Sequence, residues 1–526
     1  MIRIREIALP PEHNPAQLGY EAARLLKVAN SKIWQVQIVR RSVDARKKPD
    51  VKIVYTLDVQ IDGNEQKILR QSGCKRASIA PTVFYRLPKT SAVPEKRPVV
   101  VGFGPSGMFA ALVLAKAGLR PLVLERGEDA VTRHQKVELF WKTGALDEKT
   151  NVQFGEGGAG TFSDGKLNTG VNNPKIGWIL QQFVRFGAGE DILFDAKPHV
   201  GTDVLLDVVQ NLRKEVIRLG GEVWFNTQVV GISRENGQLN GLELQDGRIV
   251  PCNQAIFAIG HSARDTFQML EQADLPMEAK PFAMGVRIEH KQSLIDNAQY
   301  GFDTPALPPA DYKLVQHLDD RTVYTFCMCP GGYVVAAASE AGGVVTNGMS
   351  YADRAGENAN AALLVTVRPQ DFGGESPLAG MYWQRKIEEA AYEVGGGGYR
   401  APAQTVGDFL ADRPSIGPGT VEPTYRPGVT WCDLRQVLPK IITDAIKEAL
   451  PKLDGNLKGF AGADAVLTAP ETRSSSPVRI LRGDDRQSLG LRGFYPAGEG
   501  AGFAGGIMSA AIDGMECAEA LIASLS

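Results

Sequence analysis

Three glycines that follow a short apolar stretch have the spacing with which a backbone can hold a pyrophosphate. Gly102, Gly104 and Gly107 form the pattern G-x-G-x-x-G. The first glycine permits a tight turn, the second leaves room for the pyrophosphate, and the third lets the next helix pack closely against the strand. Pro105 and Ser106 stand where that helix begins, and the free amides of a helix N-terminus favour an anion. The pattern predicts a dinucleotide site.

An acidic residue stands where such a site needs one. Glu125 ends a second apolar stretch and lies 23 residues after Gly102, close to the interval of about 20 at which an acid accepts the ribose hydroxyls. A glycine pattern alone is often only a structural turn. Here the strand, the helix, the second strand and the acid agree, whereas two further matches, at Gly155 and Gly500, open no second nucleotide fold.

The end of the second strand resembles the FAD-binding fingerprint of glutathione-reductase-like flavoproteins, because Glu125 is followed by Arg126 and Gly127. A later segment, the apolar strand and A-x-G turn that end at Gly260, is similar to one that these proteins have before the chain leaves the FAD domain. The resemblance implies FAD as the cofactor, with Arg126 and Gly260 beside it.

A motif near the C-terminus completes this resemblance. Residues 493–521 contain a short apolar stretch, a turn with Gly498 and Glu499, and a helix that begins near Gly506. In the flavoprotein class, the matching acid bonds to the ribityl hydroxyls and the helix N-terminus faces the flavin. The resemblance implies that Glu499 lies at the ribityl chain, with Gly498 in its turn, and that the amides of Gly506 and Ile507 lie near a flavin carbonyl.

Four longer strings extend the resemblance to essentially the whole chain. They are similar to strings in a poorly characterised bacterial family, the FAD-dependent dehydrogenases with an added N-terminal module. This resemblance implies a flavoprotein fold with a separate domain over the flavin, and it implies no particular reaction. The strings are residues 151–170, 324–335, 346–354 and 471–480.

The glycine-rich segment 155–168 is expected to lie near the flavin, as such segments do in this fold class. Gly158 would then contact the cofactor. Asp164 and Lys166 could bond the polar edge of the flavin, where a positive charge stabilises the reduced anion. Arg133 could reach an FAD phosphate. The alternative for these three charged side chains is a solvated surface.

Three further groups have two interpretations each. Cys327 and Cys329 would share one face of a strand, either as a redox pair or as inert small hydrophobic residues, and we favour the second. His261 could lie near the cofactor, but a structural hydrogen bond is the better interpretation. Arg473 and the serines that follow it could bind a carboxylate substrate. The sequence indicates no particular catalytic residue and no metal site.

Positioning these residues requires an α/β fold with several parts. Residues 1–88 predict a small α+β module that contains a β-hairpin, and residues 89–98 have the composition of a linker. Strands, glycine turns and helices then alternate, which predicts a Rossmann-type FAD-binding domain with a parallel sheet. This domain comprises residues 99–280 and 481–526, and residues 281–480 form an inserted substrate (cap) domain.

Amphipathic patterns predict two helices that face a core. Thr202 would cap the first helix, which ends near Gly220. The second helix has an apolar stripe from Val437 to Leu450. Both stripes fit burial within the protein better than a surface for a partner.

The composition favours a cytoplasmic protein without membrane contact. The 526 residues include 57 glycines, against about 37 expected at about 7%, so the surplus must serve backbone geometry. Six cysteines are too few for a disulfide scaffold. The first residues lack the apolar run of an export signal, and no apolar run is long enough to span a bilayer.

Charge gives little reason to expect a nucleic-acid partner. The net charge is −2, so no overall basic field attracts one. The predicted hairpin contains Arg40, Arg41, Arg46, Lys47 and Lys48, which leaves RNA binding as an alternative. We favour a solvated face, because apart from one tryptophan no aromatic side chains lie beside these charges.

These features together predict an FAD-dependent oxidoreductase that transfers a hydride between an unidentified organic substrate and the flavin. No second Rossmann unit is visible, so NAD(P)H would bind only transiently at the flavin, or the small-molecule substrate itself would supply the electrons. The alternative is a non-enzymatic or regulatory flavoprotein whose N-terminal module binds a partner or RNA.

Overall fold

The computed structural model describes residues 1–81, 84–91, 94–170, 172–302 and 305–525. Each predicted part of the chain includes a few residues outside these ranges: 82–83 in the N-terminal module, 92–93 in the linker, 171 in the first part of the FAD domain, 303–304 in the inserted domain, and 526 in the last part. In the described part of the predicted linker the backbone forms neither a helix nor a strand.

In its described residues, the N-terminal module is a four-stranded antiparallel sheet with two α-helices and one 3-10 turn. Alternate strand residues such as Ile2, Leu57 and Val59 are apolar and buried, which is the pattern of a sheet with one solvated face. The predicted hairpin is present, with Asp44 paired to Lys52. The sheet order is Ile33–Asp44, Lys52–Ile61, Ile2–Leu9 and Ala77–Ile79, and the helices are Gln17–Leu26, Asn30–Lys32 (one 3-10 turn) and Glu65–Ser72.

A five-stranded parallel sheet forms the centre of the next part of the chain. Four of its strands are fully buried, as expected for a parallel sheet whose two faces are covered. All neighbouring strands run parallel, and this confirms the predicted Rossmann-type α/β class. The sheet order is Phe494–Pro496, Ala255–Phe257, Val99–Val101, Leu122–Leu124 and Glu222–Trp224.

Helices and a small antiparallel sheet surround this parallel sheet. The predicted helix near residue 202 is present, but Thr202 is its first residue and not its cap, because Gly201 occupies the N-cap position. The helices are Pro105–Lys116, Ala130–Thr143, Ala159–Phe162 (3-10), Lys175–Arg185, Glu190–Leu193 (3-10), Thr202–Arg218, Arg264–Gln272 and Ile507–Ser524, and the antiparallel strands are Val229–Glu235, Gln238–Leu244 and Ile249–Pro251.

The inserted domain is built on a seven-stranded sheet that is antiparallel except for its last pair of strands. Two short strands, Met277–Ala279 and Val478–Ile480, pair with each other beside the proposed inserted domain. The sheet order is Val315–His317, Thr322–Cys329, Asn358–Val367, Phe282–Lys291, Val466–Glu471, Ala401–Thr405 and Val429–Trp431, and Tyr333–Ala336 pairs with Thr346–Met349.

Six short or amphipathic helices pack around that sheet. The predicted apolar stripe begins at Val437, but the helix that contains it begins only at Lys440, directly after Pro439. The helices are Gln292–Tyr300, Pro369–Phe372, Ala379–Val394, Val406–Leu410, Leu434–Gln436 (3-10) and Lys440–Asn456. No helix in the described ranges is long and apolar enough to cross a membrane.

The basic hairpin of the N-terminal module contacts the rest of the protein. Arg41 forms an ion pair with Asp195 at 2.6 Å, and its backbone amide donates to the carbonyl of Phe194 at 2.7 Å. Lys48 donates to the carbonyl of Ala298. These two basic side chains therefore bind within the chain and do not form a free cationic face.

Glycines allow two helices to pack at backbone distance, one against the glycine turn and the other against the first helix. A Cβ on Gly107 would lie 2.0 Å from the carbonyl oxygen of Gly102, and a Cβ on Gly514 would lie 2.1 Å from that of Ser106. Real Cβ atoms do not come so close to backbone oxygens. Helix Ile507–Ser524 can therefore contact helix Pro105–Lys116 only because position 514 has no side chain.

We expect Gly514→Ala to lower the midpoint of denaturant-induced unfolding by the equivalent of roughly 1–3 kcal/mol, because the helices must separate to admit a methyl group. Gly177→Ala is the matched control, since Gly177 is an exposed helical glycine with nothing within 4 Å of an added Cβ, and alanine there should stabilise slightly. Equal midpoints for the two variants would contradict this packing.

Candidate functional site

A cavity opens at the carboxyl ends of four strands of the parallel sheet and continues to the inserted domain. Gly102, Glu125, Ala258 and Ala497 line it, and each directly follows a strand. Its empty volume, including the part open to solvent, is about 1410 Å³. Ligands of doubly wound α/β folds bind at this end of the sheet, so the cavity is the candidate site.

The glycine turn gives the cavity one wall of bare backbone. Gly102 has φ 92°, and a Cβ on Gly158 would lie 2.9 Å from the Cα of Gly104. Helix Pro105–Lys116 begins here without a side-chain cap, and the Oγ of Ser106 is buried without a hydrogen-bond partner in the described ranges. Uncapped amides, an unpartnered hydroxyl and a wall without side chains fit the pyrophosphate of a dinucleotide.

Glu125 is buried at the edge of the cavity and joins three segments of backbone. Its Oε2 accepts from the amide of Phe103 at 2.8 Å, and its Oε1 accepts from the amides of Gly127 at 2.9 Å and Gly155 at 3.0 Å. A carboxylate oxygen can accept two hydrogen bonds, so Oε2 keeps one position for the predicted ribose contact. The sequence did not indicate that Glu125 also anchors the glycine-rich segment.

Arg126 also lines the cavity. Its two terminal nitrogens donate to Asp265 at 2.9 and 2.8 Å, and its guanidinium lies 4.0 Å from the centre of the Phe154 ring. The charge of Arg126 is therefore matched within the protein and its plane is fixed. It forms a flat wall of the cavity and not a free cation.

The last helix begins at the cavity. Gly506 is the N-cap residue of helix Ile507–Ser524, and no side chain caps this end. Gly160 of the glycine-rich segment lies against it, because an added Cβ there would be 3.0 Å from the side chain of Ile507. Gly506 and Ile507 therefore present a second helix N-terminus, with its partial positive charge, to the same cavity.

Glu499 faces the cavity from the turn before that helix. Burial raises its pKa to about 7, and the charge of Lys280 opposes the rise. Gly260 lines the cavity too. Gly498 lies behind the wall, where its amide donates to Asp513 at 2.7 Å, and Gly107 is similarly outside the lining. The turn after strand Phe494–Pro496 therefore places Glu499 in the cavity lining and is held by the amide of Gly498, whereas Gly260 reaches the cavity from the turn after strand Ala255–Phe257.

Arg133 does not reach the cavity, contrary to the expectation of a phosphate contact. Its side chain is fully buried, and its guanidinium donates to the carbonyls of Asn151, Val152 and Glu156 at 2.9, 2.8 and 2.7 Å. A phosphate contact would break these bonds and move a buried charge. Arg133 therefore holds the chain that leads into the glycine-rich segment.

Asp164 and Lys166 also lie outside the cavity, and neither meets the predicted flavin edge. Asp164 lies 2.8 Å from Nη2 of Arg354 and 3.4 Å from Nδ1 of His199. Burial would raise the pKa of Asp164, but His199 and the charges of Lys166 and Arg354 outweigh it and lower the pKa to about 2. Lys166 donates to the carbonyl of Met328. Both residues tie the glycine-rich segment to the inserted domain.

Arg473 lines the cavity, but its charge is already matched. Its Nη2 lies 2.9 Å from Glu388 and 3.0 Å from Glu340, and Arg264 binds the same two carboxylates at 2.8 and 2.6 Å. Burial would raise the pKa of Glu388, but the two arginines hold it well below its usual range. Two cations and two anions form a neutral cluster, which does not favour a carboxylate substrate.

Cys327 and Cys329 do not share a face, contrary to the prediction. Strand Thr322–Cys329 has an irregularity after Phe326, and Cys327 has φ 41°. Cys327 therefore faces the cavity, whereas Cys329 is buried. Although Cys327 is exposed at the open cavity, desolvation by the surrounding protein atoms raises the pKa of its thiol to about 11, and the charge of Arg287 opposes the rise. The thiol is therefore protonated at neutral pH.

His261 lines the cavity beside the same neutral cluster. Its Nδ1 lies 2.9 Å from the hydroxyl of Ser262. Burial, with the charges of Arg473 and Arg264, lowers the pKa of His261 to about 3. The imidazole is therefore neutral in the ordinary pH range.

The inserted domain adds lining residues that the sequence did not single out: Phe326, Asn347, Gly348 and Glu471. They come from three strands that lie far apart in the chain, Thr322–Cys329, Thr346–Met349 and Val466–Glu471, so no local spacing marks them. The available signal was that all four lie within the strings 324–335, 346–354 and 471–480, which resemble the bacterial family.

Comparison with known proteins gives the cofactor. Residues 281–474 match the family model described as "FAD-dependent protein, C-terminal domain-like", and residues 1–60 match a domain of unknown function. An uncharacterised protein of Clostridium beijerinckii is 47% identical over 526 residues, which cover 99% of this chain and 98% of that protein. The chain belongs to this family of FAD-dependent proteins. FAD is the cofactor, as the sequence resemblance implied.

Solved structures resemble this FAD-dependent protein only distantly. A mutant of the halogenase PltM in complex with FAD is 10% identical, with a TM-score of 0.40, over 82% of this chain and 69% of the halogenase. Glycine oxidase from Bacillus cereus is 11% identical, with a TM-score of 0.33, over 82% of this chain and 96% of the oxidase. Similarity at this level indicates no shared reaction.

We expect Gly104→Val to abolish the retention of FAD through purification, because the branched side chain would fill the space beside Gly158. The measurement is flavin absorbance per mole of protein. Gly177→Val serves as the control, since its side chain would project from an exposed helix position with nothing within 4 Å. Equal flavin content in both variants would exclude a pyrophosphate at this turn.

Proposed function

We propose that this protein is an FAD-dependent oxidoreductase that transfers a hydride between a small organic substrate and the flavin. The observation that carries the proposal is the continuity of one cavity. It extends from the bare backbone at Gly104 to polar residues of the inserted domain, such as Asn347 and Glu471. A cofactor held at one end would leave the other end for a substrate.

The residues that would hold FAD follow the cavity in order. The pyrophosphate would lie at the glycine turn from Gly102 to Gly107, with the hydroxyl of Ser106 as a further partner. Glu125 would accept from the ribose, and Glu499 from the ribityl chain. The uncapped helix at Gly506 would place its amides at a flavin carbonyl, and bound FAD would supply a two-electron acceptor there.

The protein's own contribution is to position the reactants. The inserted domain lines part of the cavity, where its sheet presents Phe326 beside the polar groups. The side chains of the neutral cluster around Arg473 are already held by one another, so they need no rearrangement when a substrate binds. A substrate would therefore be oriented by fixed groups in a cavity that is partly open to solvent.

NAD(P)H, if it is a donor, would bind only transiently at the flavin. Within the described ranges the five-stranded sheet is the one parallel sheet of Rossmann type, and FAD would use its glycine turn. We also place the protein in a reducing cytoplasm, which its six free cysteines support. The alternative of an RNA-binding regulatory flavoprotein has less support, because Arg41 and Lys48 of the basic hairpin bind within the chain.

Anaerobic mixing with candidate reductants tests the proposal. We expect the yellow holoprotein to be bleached by a metabolite or by NAD(P)H, and to be reoxidised by an acceptor at catalytic rates, as followed by flavin absorbance. Full reduction by dithionite provides the reference signal. A holoprotein that dithionite bleaches, but that no member of a broad substrate panel bleaches, would contradict the enzymatic function.

The ribityl contact has a separate test. We expect Glu499→Ala to weaken FAD binding by about 10- to 100-fold, the loss typical of a hydrogen bond to a charged group, as measured by titration of the apoprotein with FAD. The control is Glu278→Ala, because Glu278 is exposed and pairs only loosely with Arg479 at 3.4 Å. An unchanged affinity in the Glu499 variant would place the ribityl chain elsewhere.

A further inference from the structure

The end of the cavity away from the glycine turn contains an acid that the proposed function has not used. Glu471 is 4% exposed and lines the cavity at the last position of strand Val466–Glu471. It is the one carboxylate among the described residues with which the inserted domain lines the cavity. Because Glu471 lies beside the space that we propose for a substrate, it could exchange a proton with that substrate.

Arg287 holds this carboxylate in place. Its Nε lies 2.5 Å from Oε2 of Glu471, and its terminal nitrogens donate to the carbonyl of Cys327 at 2.9 Å and to Oδ1 of Asn347 at 3.0 Å. Arg287 itself is fully buried. Its guanidinium therefore forms an ion pair with Oε2, which is buried, whereas Oε1 is not among the buried unpartnered atoms and is the oxygen that we assign to the cavity side.

The surroundings suit Glu471 to proton transfer near neutral pH. Burial raises its pKa to about 7, although the charge of Arg287 opposes the rise. A general base is most effective when its pKa is near the working pH. Glu471 can therefore exist both as a carboxylate and as an acid near neutral pH.

The other ionisable groups that line this end of the cavity cannot take its place. The thiol of Cys327 has a pKa of about 11 and is already protonated. The imidazole of His261, with a pKa of about 3, is a weak base. Arg473 has its charge matched by Glu388 and Glu340, so no unmatched cation is present among the described lining residues to bind a substrate carboxylate.

We propose that Glu471 is a catalytic base and that the substrate is an alcohol or an amine without an essential carboxylate. This inference rests on the proposed function. The C–H bond of the reacting carbon breaks and its electron pair leaves as hydride to FAD, while the O–H or N–H bond on the neighbouring atom breaks and its proton binds Oε1 of Glu471. A C=O or C=N bond forms. The substrate loses two electrons, FAD gains them, and the proton passes from Glu471 to solvent.

Infrared difference spectra of the oxidised holoprotein at different pH values test the base without any substrate. We expect the band of a protonated carboxyl group to disappear with a midpoint near pH 7, and one such carboxyl to be missing in Glu471→Gln. Glu499 also titrates near this pH, so the comparison is repeated in a Glu499→Gln background at saturating FAD. Identical spectra with and without Glu471 would overturn the inference.

Flavin reduction under anaerobic conditions tests the catalytic role, with benzyl alcohol, 2-propanol, benzylamine and cyclohexylamine as probes and benzoate as the acid control. At least one alcohol or amine should bleach the flavin, at a rate that rises with pH through about 7 because the base must lose its proton first. Glu471→Gln should lower that rate by at least about 100-fold, with unchanged FAD content and unchanged reduction by dithionite. Glu471→Asp should recover part of it, and Glu278→Gln should match the wild type.

The outcomes separate the two proposals. A flavin that no organic compound or NAD(P)H reduces would refute the oxidoreductase itself. Reduction by NAD(P)H or other compounds, but by no alcohol or amine, would refute only the substrate class, and an undiminished rate in a folded Glu471→Gln would refute only the base. If that variant does not fold, a wild-type rate that is independent of pH through about 7 would overturn the role of Glu471.

Discussion

Backbone lies against backbone around the glycine turn at distances that no side chain would permit. Gly107 brings the first helix of the FAD domain onto the carbonyl of Gly102, and Gly514 brings the last helix onto the carbonyl of Ser106. Gly158 brings the glycine-rich segment to Gly104. The adjoining helix and two distant segments of the chain, around Gly158 and Gly514, therefore pack against one turn, and these contacts form the wall of the cavity.

Buried charges fix the remaining walls. Glu125 and Arg133 each bind several backbone groups of the chain around the glycine-rich segment, and Asp164 joins that segment to Arg354 of the inserted domain. A buried charge without a partner costs several kcal/mol, so each of these side chains can occupy its position only with its partners present. The rigidity of the cavity wall therefore depends on the hydrogen bonds and ion pairs that these side chains form.

Features with a local signature could be predicted from the sequence. The glycine turn, the acid at its interval, the C-terminal turn with Glu499 and the N-terminal hairpin all depend on residues close together in the chain. Arg133 and Lys166 were placed wrongly, because a positive side chain suggested an anion of the cofactor as its partner. In the structure the side-chain nitrogens of both residues donate to backbone carbonyls instead. Glu471 could not be singled out, because Arg287 and Cys327, which define its surroundings, are more than 140 residues away in the chain.

The docking of the N-terminal hairpin has a consequence for solubility. Strand Ile33–Asp44 is the outer strand of its sheet, and a long outer strand is a template on which other chains can add strands. Here the amide of Arg41 donates to Phe194 and its carbonyl accepts from Ala196 at 2.8 Å. The polypeptide thus occupies part of its own sheet edge, and the contact that joins the module to the FAD domain also protects that edge against aggregation.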